Sequence, residues 1–554
     1  MTINLADACR TRFDLCIVGS GPAGIIVALE TTRLNPDWRI LLVEFGRLEG
    51  MGKNRLDDSI RVTNLINHHP PYECTNKGLG GTSRTWGGRC VMYDEIDFLP
   101  RPILQGQCTW DVSFLAGVRG HVPRAADYFQ CGRGPFDLKE LPELHRGPIA
   151  EGFGSEIISD TALERWSMPT RFQRRYGAEL AASGKIYILS GCRVVSVASP
   201  DTSGRVTGVV AEPTDGGAPI QLKARWLVLA AGAQETTRIL LKSPGLFIRR
   251  GGPPFALGRY YQGHVSGKIA RIRFHGHPRT TQYGFIRDRA GVFLRRRFQF
   301  NRGFLVRENL LNTAFWLDNP PYFDPAHRNG TCSFLYLAMI TPGLGRWLAP
   351  PAVAASITKG KRFKVLSHLW NVAKDSPASL WLPLVTFIRR YCFSRQLPGV
   401  FFYNERNEYA LHFHAEQIPD PSNRMELGAD NDELIIHYRL GAAELDSVVR
   451  CHDWLEHELR ASNSGILTYA FPREQLPQAL DNMSRDGIHQ SGTTRISQRA
   501  EDGVVDYNLK IWGVENVFVC SSSAFPTSSQ ANPTFFLGAC AVRLADHLRD
   551  HAIY

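Results

Sequence analysis

The sequence predicts an α/β protein in two parts: a parallel sheet wound with helices, and an α+β part built on an antiparallel sheet. Three observations predict it. "FDLCIVGSGPAGIIVALETT", near the start, reads as a buried strand, a glycine-rich turn and a helix. "ARWLVLAAGAQETTRILLKS" (224–243) repeats that order with a small-residue turn. Between 265 and 305, "VSGKIARIRFHG", "TTQYGFIRD" and "GVFLRRRFQF" read as antiparallel strands separated by turn residues, and "LHFHAEQIPDPSN" and "ELIIHYRL" extend that sheet. At 554 residues the chain has the length of two or three domains.

The first turn fits G-x-G-x-x-G, the mark of a Rossmann-like dinucleotide site, with Pro22 and Ala23 between its last two glycines. Gly19 permits the tight turn, Gly21 lets a pyrophosphate approach the backbone, and Gly24 lets helix and strand pack closely. The helix N-terminus faces the phosphate charge. The next apolar strand, "RILLVEFG", ends in Glu44, 20 residues beyond Gly24 (44 − 24), where an acid meets ribose hydroxyls. These features do not separate NAD from FAD. "KGLGGTSRTWGGRC" (77–90) favours FAD. Its glycines and hydroxyls, among them Gly81, Thr82, Ser83 and Gly87, let backbone amides lie against a flat ligand, and Trp86 argues that the loop is packed. Ala231 and Gly232 form the small-residue turn of the later strand and helix, and "KIYILSGCRVVSV" supplies Val194 beside the adenine.

Composition excludes several classes. The formal charge is +11, but the basic residues are dispersed, and neither zinc-finger spacing nor an RNA-binding signature is present, so no nucleic-acid partner is expected. The cysteines are scattered without a C-x-x-C pair, which predicts free thiols in a reducing compartment and no metal site. The N-terminus lacks the pattern of a signal peptide, and "SPASLWLPLVTFI" (376–388) is too short to span a bilayer, so the expected location is cytoplasmic. Residues 341–400 carry Arg346, Lys359, Lys361, Arg362, Lys364, Lys374, Arg389, Arg390 and Arg395 against the single acid Asp375. Two readings stand for this insert: a basic amphipathic surface touching a membrane or protein partner, or a helical lid with a solvated basic face. The lid is the expectation.

The segments "IVGSGPAGIIVALE", "LLVEFG", "GLGGTSRTWGGR", "LVLAAGAQETTRILL", "LGRYYQGHVSG", "AEQIPDPSNRMEL" and "HQSGTTRI…GVVDYNLKIWGVENVFVCSSSAFPTSSQANPTFFLGACAVRLADHL" resemble, in order and almost end to end, the glucose–methanol–choline (GMC) family of FAD oxidoreductases. The nearest likeness is to its bacterial sugar-oxidising and pyranose-oxidase-like branch. The resemblance implies a discontinuous FAD-binding domain of residues 1–100, 185–265 and 486–554. It implies a substrate domain of residues 101–184 and 266–485, the latter holding the insert.

Oxidising a carbinol requires a base for the hydroxyl proton and a flavin for the hydride. His489 in "IHQSGTTRIS" falls on the family's H-x-x-G-T histidine, and Asn532 in "QANPTFFLGA" on its second catalytic position. The resemblance therefore implies His489 as base and Asn532 as ligand of the substrate oxygen, with Ser522, Pro533 and Thr534 near the flavin. Thr85 stands where pyranose-oxidase-like relatives carry a flavin-linking histidine, which predicts non-covalent FAD. Ser521 replaces an acid found in many relatives. His264 matches a recurrent family segment that orders the domain junction. His412 and His414 alternate along one strand, and His414, Glu416 and Gln417 are weaker candidates for a polyol substrate. The expected substrate is an alcohol, most specifically a sugar, glycoside or sugar-derived natural product, with O2 or another electron acceptor. A dehydrogenase subunit that passes electrons to a partner protein, and a non-redox lyase on the same scaffold, are the alternatives.

Overall fold

A computed structural model describes residues 1–47, 59–341 and 364–551. Its first sheet is parallel at the centre. The strands run in the spatial order Ile186–Ser190, Ile40–Glu44, Arg12–Val18, Ile220–Leu229 and Val517–Val519. Helices cover this sheet, so its strands read as apolar runs rather than alternations; every residue of Ile40–Glu44 is buried. An antiparallel hairpin, Cys192–Val197 and Gly208–Pro213, joins the early part of Ile220–Leu229. The helices Pro22–Leu34 and Pro533–His551 pack on one another, which ties the chain's last helix to its first glycine turn. Gly538 is needed in that packing, because a Cβ there would meet the Phe129 ring at 2.3 Å.

The second large sheet is antiparallel throughout. Its order is Gly465–Tyr469, His264–Phe274, Glu408–Glu416, Thr313–Asp318, Phe293–Phe300, Ile158–Trp166 and Arg89–Cys90, with Phe285–Arg287 on the side. A separate core of Ile269, Ile272, Phe298, Phe315, Tyr409, Phe413 and their neighbours fills the space beneath it. A small third sheet joins Ile60–Val62 to the hairpin Arg424–Leu427 and Leu434–His437. This is the α/β plus α+β architecture that the sequence predicts.

Two segments behave differently from expectation. Within 101–184, the strand Ile158–Trp166 joins the antiparallel sheet, but Phe114, Phe129 and Phe172 pack in the core of the parallel part. Their helices bury apolar faces against Pro533–His551 and Pro22–Leu34. The basic insert is the second case. Arg346, Lys359, Lys361 and Arg362 lie outside the described residues. The helices Val365–Lys374 and Ala378–Tyr391 pack against Gly330–Ile340 and leave apolar residues outward, with Leu366 82%, Trp370 70% and Trp381 63% exposed. Lys374 is paired with Glu405, and Arg395 donates to the carbonyls of Gln130 and Trp166. The outer face of these two helices is thus more apolar than basic. Among the described residues, no helix is long and apolar enough to cross a membrane. All twelve cysteines are free, and nine are buried.

Two enclosed histidines give the fold a pH dependence. His68 and His452 are fully buried, and that burial lowers each imidazole to about 4, against hydrogen bonds to the His69 and Val448 carbonyls that raise it. In the unfolded chain histidine titrates near 6.5. The unfolded state therefore binds more protons than the fold between these values, and stability is lost as pH falls from about 6.5 toward 4. Each ring contributes up to about 1.4 kcal/mol per pH unit in that interval. The melting temperature is expected to fall from pH 7 to pH 5, and His452→Phe to flatten the fall; an unchanged slope in that variant would contradict this role.

Candidate active site

Three turns meet at the carboxyl ends of the parallel strands, where this architecture places its ligands. Gly19 follows the first strand with φ +99°, and a Cβ on it would meet the Ala230 carbonyl oxygen at 2.6 Å. A Cβ on Gly24, in the helix that follows, would meet the Gly19 oxygen at 2.0 Å, so both positions accept only glycine. In front of Gly21, by contrast, nothing lies within 4 Å of an added Cβ. The helix beginning at Pro22 has no side-chain cap, which leaves its positive end facing this opening, with Ala23 in its first turn. Gly232 has φ +73° and is open in the same sense, next to Ala231. The cradle fits a pyrophosphate.

Glu44 ends the second strand and is buried. Its Oε2 accepts from Ser20 N (3.0 Å) and Ser20 Oγ (2.5 Å), and its Oε1 from Gly46 N and Gly78 N (2.8 Å each). Its four lone-pair directions are thus occupied by three different loops. The 77–90 loop packs on the glycine turn: Gly80 N donates to Ser20 O, and a Cβ on Gly81 would lie 3.0 Å from Gly21 Cα. Thr82 Oγ1 accepts from Asn76 N (3.3 Å). Ser83 Oγ donates to Gly80 O (2.6 Å), and Trp86 Nε1 donates to Thr170 O (2.9 Å) while its ring meets Phe129 edge-on. Ser83 and Trp86 thus hold the loop through their side chains, and Gly87 follows against Trp166. Thr85 accepts from Asn76 Nδ2 and is exposed. Val194 is buried on the hairpin strand, opposite Ala211.

His489 and Asn532 come together from positions 43 residues apart. Asn532 Nδ2 donates to His489 Nε2 at 2.6 Å, which puts the ring proton on Nδ1. Nδ1 faces Asp486 Oδ2 at 3.4 Å. Asp486 builds this turn: its Oδ1 accepts the backbone N–H of Gly487, Ile488 and His489 at 2.7, 2.8 and 3.0 Å. Gly487 has φ +117°, and its Cβ would strike the His68 ring at 2.5 Å. Burial raises the Asp486 carboxyl, but His489 and His264 outweigh it and hold the group well below the usual carboxylate range. Asp486 is therefore ionised beside His489, with the histidine's Nδ1–H directed at it. Asn532 immediately precedes the helix Pro533–His551, so Pro533 and Thr534 form that helix's first turn. Ser522 Oγ donates to Gln490 O (2.6 Å) and stitches the two segments together.

Two more histidines complete the cluster. His264 Nδ1 lies 3.3 Å from Asp486 Oδ2, and the His264 ring stacks on His414 at 4.0 Å. His414 Nδ1 donates to Gln530 O at 2.9 Å, and its ring stands edge-on to His489 at 5.4 Å. Burial lowers both imidazoles, so both are neutral. Trp316 packs beside His414, stacked on His412 at 4.4 Å and covered by the Arg89 guanidinium at 4.2 Å. Burial lowers His412 to about 3.

Glu416 and Gln417 are placed otherwise than expected. Glu416 receives both 2.8 Å bonds of Arg101 Nη2, with both side chains enclosed. Gln417 accepts from Gly263 N (2.8 Å) and donates to Arg439 O (3.0 Å). Both are spent on fixing strand ends, which leaves neither for a substrate. Asp486 was not singled out in the sequence; its signal was a carboxylate three residues before the histidine.

Residues 419–541, which include His489 and Asn532, match the family model described as GMC oxidoreductase. A 2-methyl-1,2-propanediol dehydrogenase of Mycolicibacterium austroafricanum is 39% identical over 62 residues, 11% of either chain. A long-chain-alcohol oxidase of Arabidopsis thaliana is 40% identical over 45 residues, 8% of this chain and 6% of its own. The matches thus span about a tenth or less of these curated relatives. An FAD-dependent oxidoreductase from Chaetomium thermophilum shares the fold over 98% of this chain and 100% of its own, with 15% identity and a TM-score of 0.53.

Proposed function

We propose that the protein is an FAD-dependent GMC-type oxidoreductase that oxidises a CH–OH group to the carbonyl, with His489 as base and Asn532 as ligand of the substrate oxygen. The 2.6 Å contact between Asn532 Nδ2 and His489 Nε2 carries the reading. FAD, when bound, supplies the acceptor for the carbinol hydride. A substrate hydroxyl entering between the two side chains gives its proton to His489 Nε2, the one ring nitrogen with a lone pair. The Asn532 amide then donates to the developing oxyanion. Asp486 faces the imidazolium formed and stabilises it, as it fixes the tautomer beforehand.

The chain's residues fit FAD. The open face at Gly21 and the uncapped helix start suit the pyrophosphate. A ribose hydroxyl would replace Ser20 Oγ at Glu44, the one side-chain donor among its four. Val194 would lie toward the adenine, and Ser522, Pro533 and Thr534 toward the flavin end. Thr85 lacks the imidazole through which pyranose-oxidase-like relatives hold the ring system covalently. Acid precipitation is therefore expected to leave the yellow colour in the supernatant; colour retained in the pellet would contradict non-covalent binding.

The finer reading is a sugar, glycoside or sugar-derived alcohol. It rests on the likeness of the sequence to the sugar-oxidising branch. Anaerobic flavin bleaching tests it, with sugars set against diols and long-chain alcohols. Bleaching by the latter two alone would remove the sugar assignment. The electron acceptor is O2 or a partner protein, and the exposed Leu366, Trp370 and Trp381 favour the partner. Rapid peroxide formation in air would count against it.

A further inference from the structure

Three imidazoles, His489 among them, and a carboxylate exceed what proton abstraction needs. His264, His414, Asp486 and His489 each offer one donor atom, and these atoms all lie within 4.8 Å of one another. Asp486 Oδ2 is 3.3 Å from His264 Nδ1 and 3.4 Å from His489 Nδ1. Tetrahedral bonds of about 2.0–2.1 Å give donor–donor edges of about 3.4 Å, so these two contacts already have the length of edges between coordinated ligands. His414 donates Nδ1–H to the Gln530 carbonyl, which leaves a lone pair on Nε2; metal-ligating histidines are held in this way. His264 is 1% exposed, and its Nε2 is buried without a hydrogen-bond partner. The Asp486 Oδ1 atom is taken by three backbone amides, which aims Oδ2 into the cluster.

We infer that this cluster is a binding site for a borderline divalent cation of the zinc class, and that its occupation switches off His489. Three imidazoles and one carboxylate suit zinc or cobalt better than the hard cations magnesium and calcium. The donors come from three separate stretches of chain, with only Asp486 and His489 in one turn, so no metal-binding spacing marks the sequence. The switch follows from tautomers. A cation on Nδ1 of His489 moves the ring proton to Nε2, through solvent. Nε2 then has no lone pair for a substrate proton. A turn of the Asn532 amide would offer that N–H the Oδ1 atom, now buried without a partner. In His264 the proton likewise leaves Nδ1 for the unpartnered Nε2. The inhibition rests on His489 being the base; the metal site does not.

The test uses the flavin-loaded protein, freed of metal with a chelator and titrated with Co2+. One equivalent per chain is expected, with the visible bands of a tetrahedral site at wavelengths beyond the flavin, displaced by Zn2+. His264→Gln and His414→Gln are each expected to weaken binding at least about tenfold, with circular dichroism confirming that they fold. In the same samples Zn2+ should suppress anaerobic flavin reduction by alcohol, and the chelator should restore it. Absence of saturable cobalt binding, or unchanged affinity in both variants, would overturn the site. Full flavin reduction with zinc bound would overturn the switch. Cobalt binding in a protein whose flavin no alcohol reduces would support the site and count against the oxidoreductase reading alone.

Discussion

His489→Ala is expected to lower the rate of flavin reduction by alcohol by about 10²–10⁴-fold, the range of a positioned general base, while leaving FAD bound. The separation of the two effects follows from the architecture. The proposed pyrophosphate cradle is made by the turns at Gly19–Gly24 and Gly232, and Glu44 is held by Ser20, Gly46 and Gly78. None of these contacts runs through the His489 side chain. Its partners are Asn532 and Asp486, and its backbone N–H to Asp486 Oδ1 survives truncation. Stopped-flow absorbance checks the rate, and the ratio of flavin to protein absorbance checks retention. Reduction at the wild-type rate would remove His489 from the chemistry. Loss of FAD would show that the ring holds the cofactor instead.

Arg101→Met is expected to destabilise the fold by about 3–5 kcal/mol, the cost of breaking a buried ion pair from one side. Arg101 and Glu416 have side chains 1% and 0% exposed, joined by two 2.8 Å bonds from one guanidinium nitrogen. Glu416 also accepts from Asn312 N at 3.2 Å, a single neutral donor that does not replace the cation. Pairing the variant with Glu416→Gln is expected to recover most of the loss, because no uncompensated charge then remains buried. Denaturant unfolding of both variants measures this. A shift under about 1 kcal/mol for Arg101→Met would mean that water reaches Glu416 and that the pair is not as enclosed as its contacts imply. Glu416 ends the strand that carries His414, so the single variant is also expected to loosen the histidine cluster.

Short-range features were the legible ones. The turn at Gly19–Gly24 was readable because strand, turn, helix and acid follow one another within about thirty residues, and its geometry depends on those residues alone. The pairing of His489 with Asn532 was an expectation from resemblance, since nothing local links two residues 43 apart. The His264–His414 stack was out of reach for another reason. The strands His264–Phe274 and Glu408–Glu416 pair with Ser266 opposite His414, which makes the two histidines diagonal neighbours, and register is set by tertiary packing. Alternation placed His412 and His414 on one face but could not say what Glu416 and Gln417 meet where the strand ends. There Arg101, Gly263 and Arg439 decide. In the insert, counting charges concealed an apolar outer face, because Lys374 and Arg395 are drawn to Glu405 and to backbone carbonyls.

The central claim is that His489 and Asn532 serve a flavin that takes a hydride from an alcohol. Anaerobic mixing of the flavin-loaded protein with a panel of sugars, diols and alkanols, followed at the oxidised flavin band, tests it most directly. The account predicts full bleaching by at least one alcohol and its near-abolition in His489→Ala. A flavin that stays oxidised with every alcohol, or bleaches equally fast without the His489 ring, would contradict it.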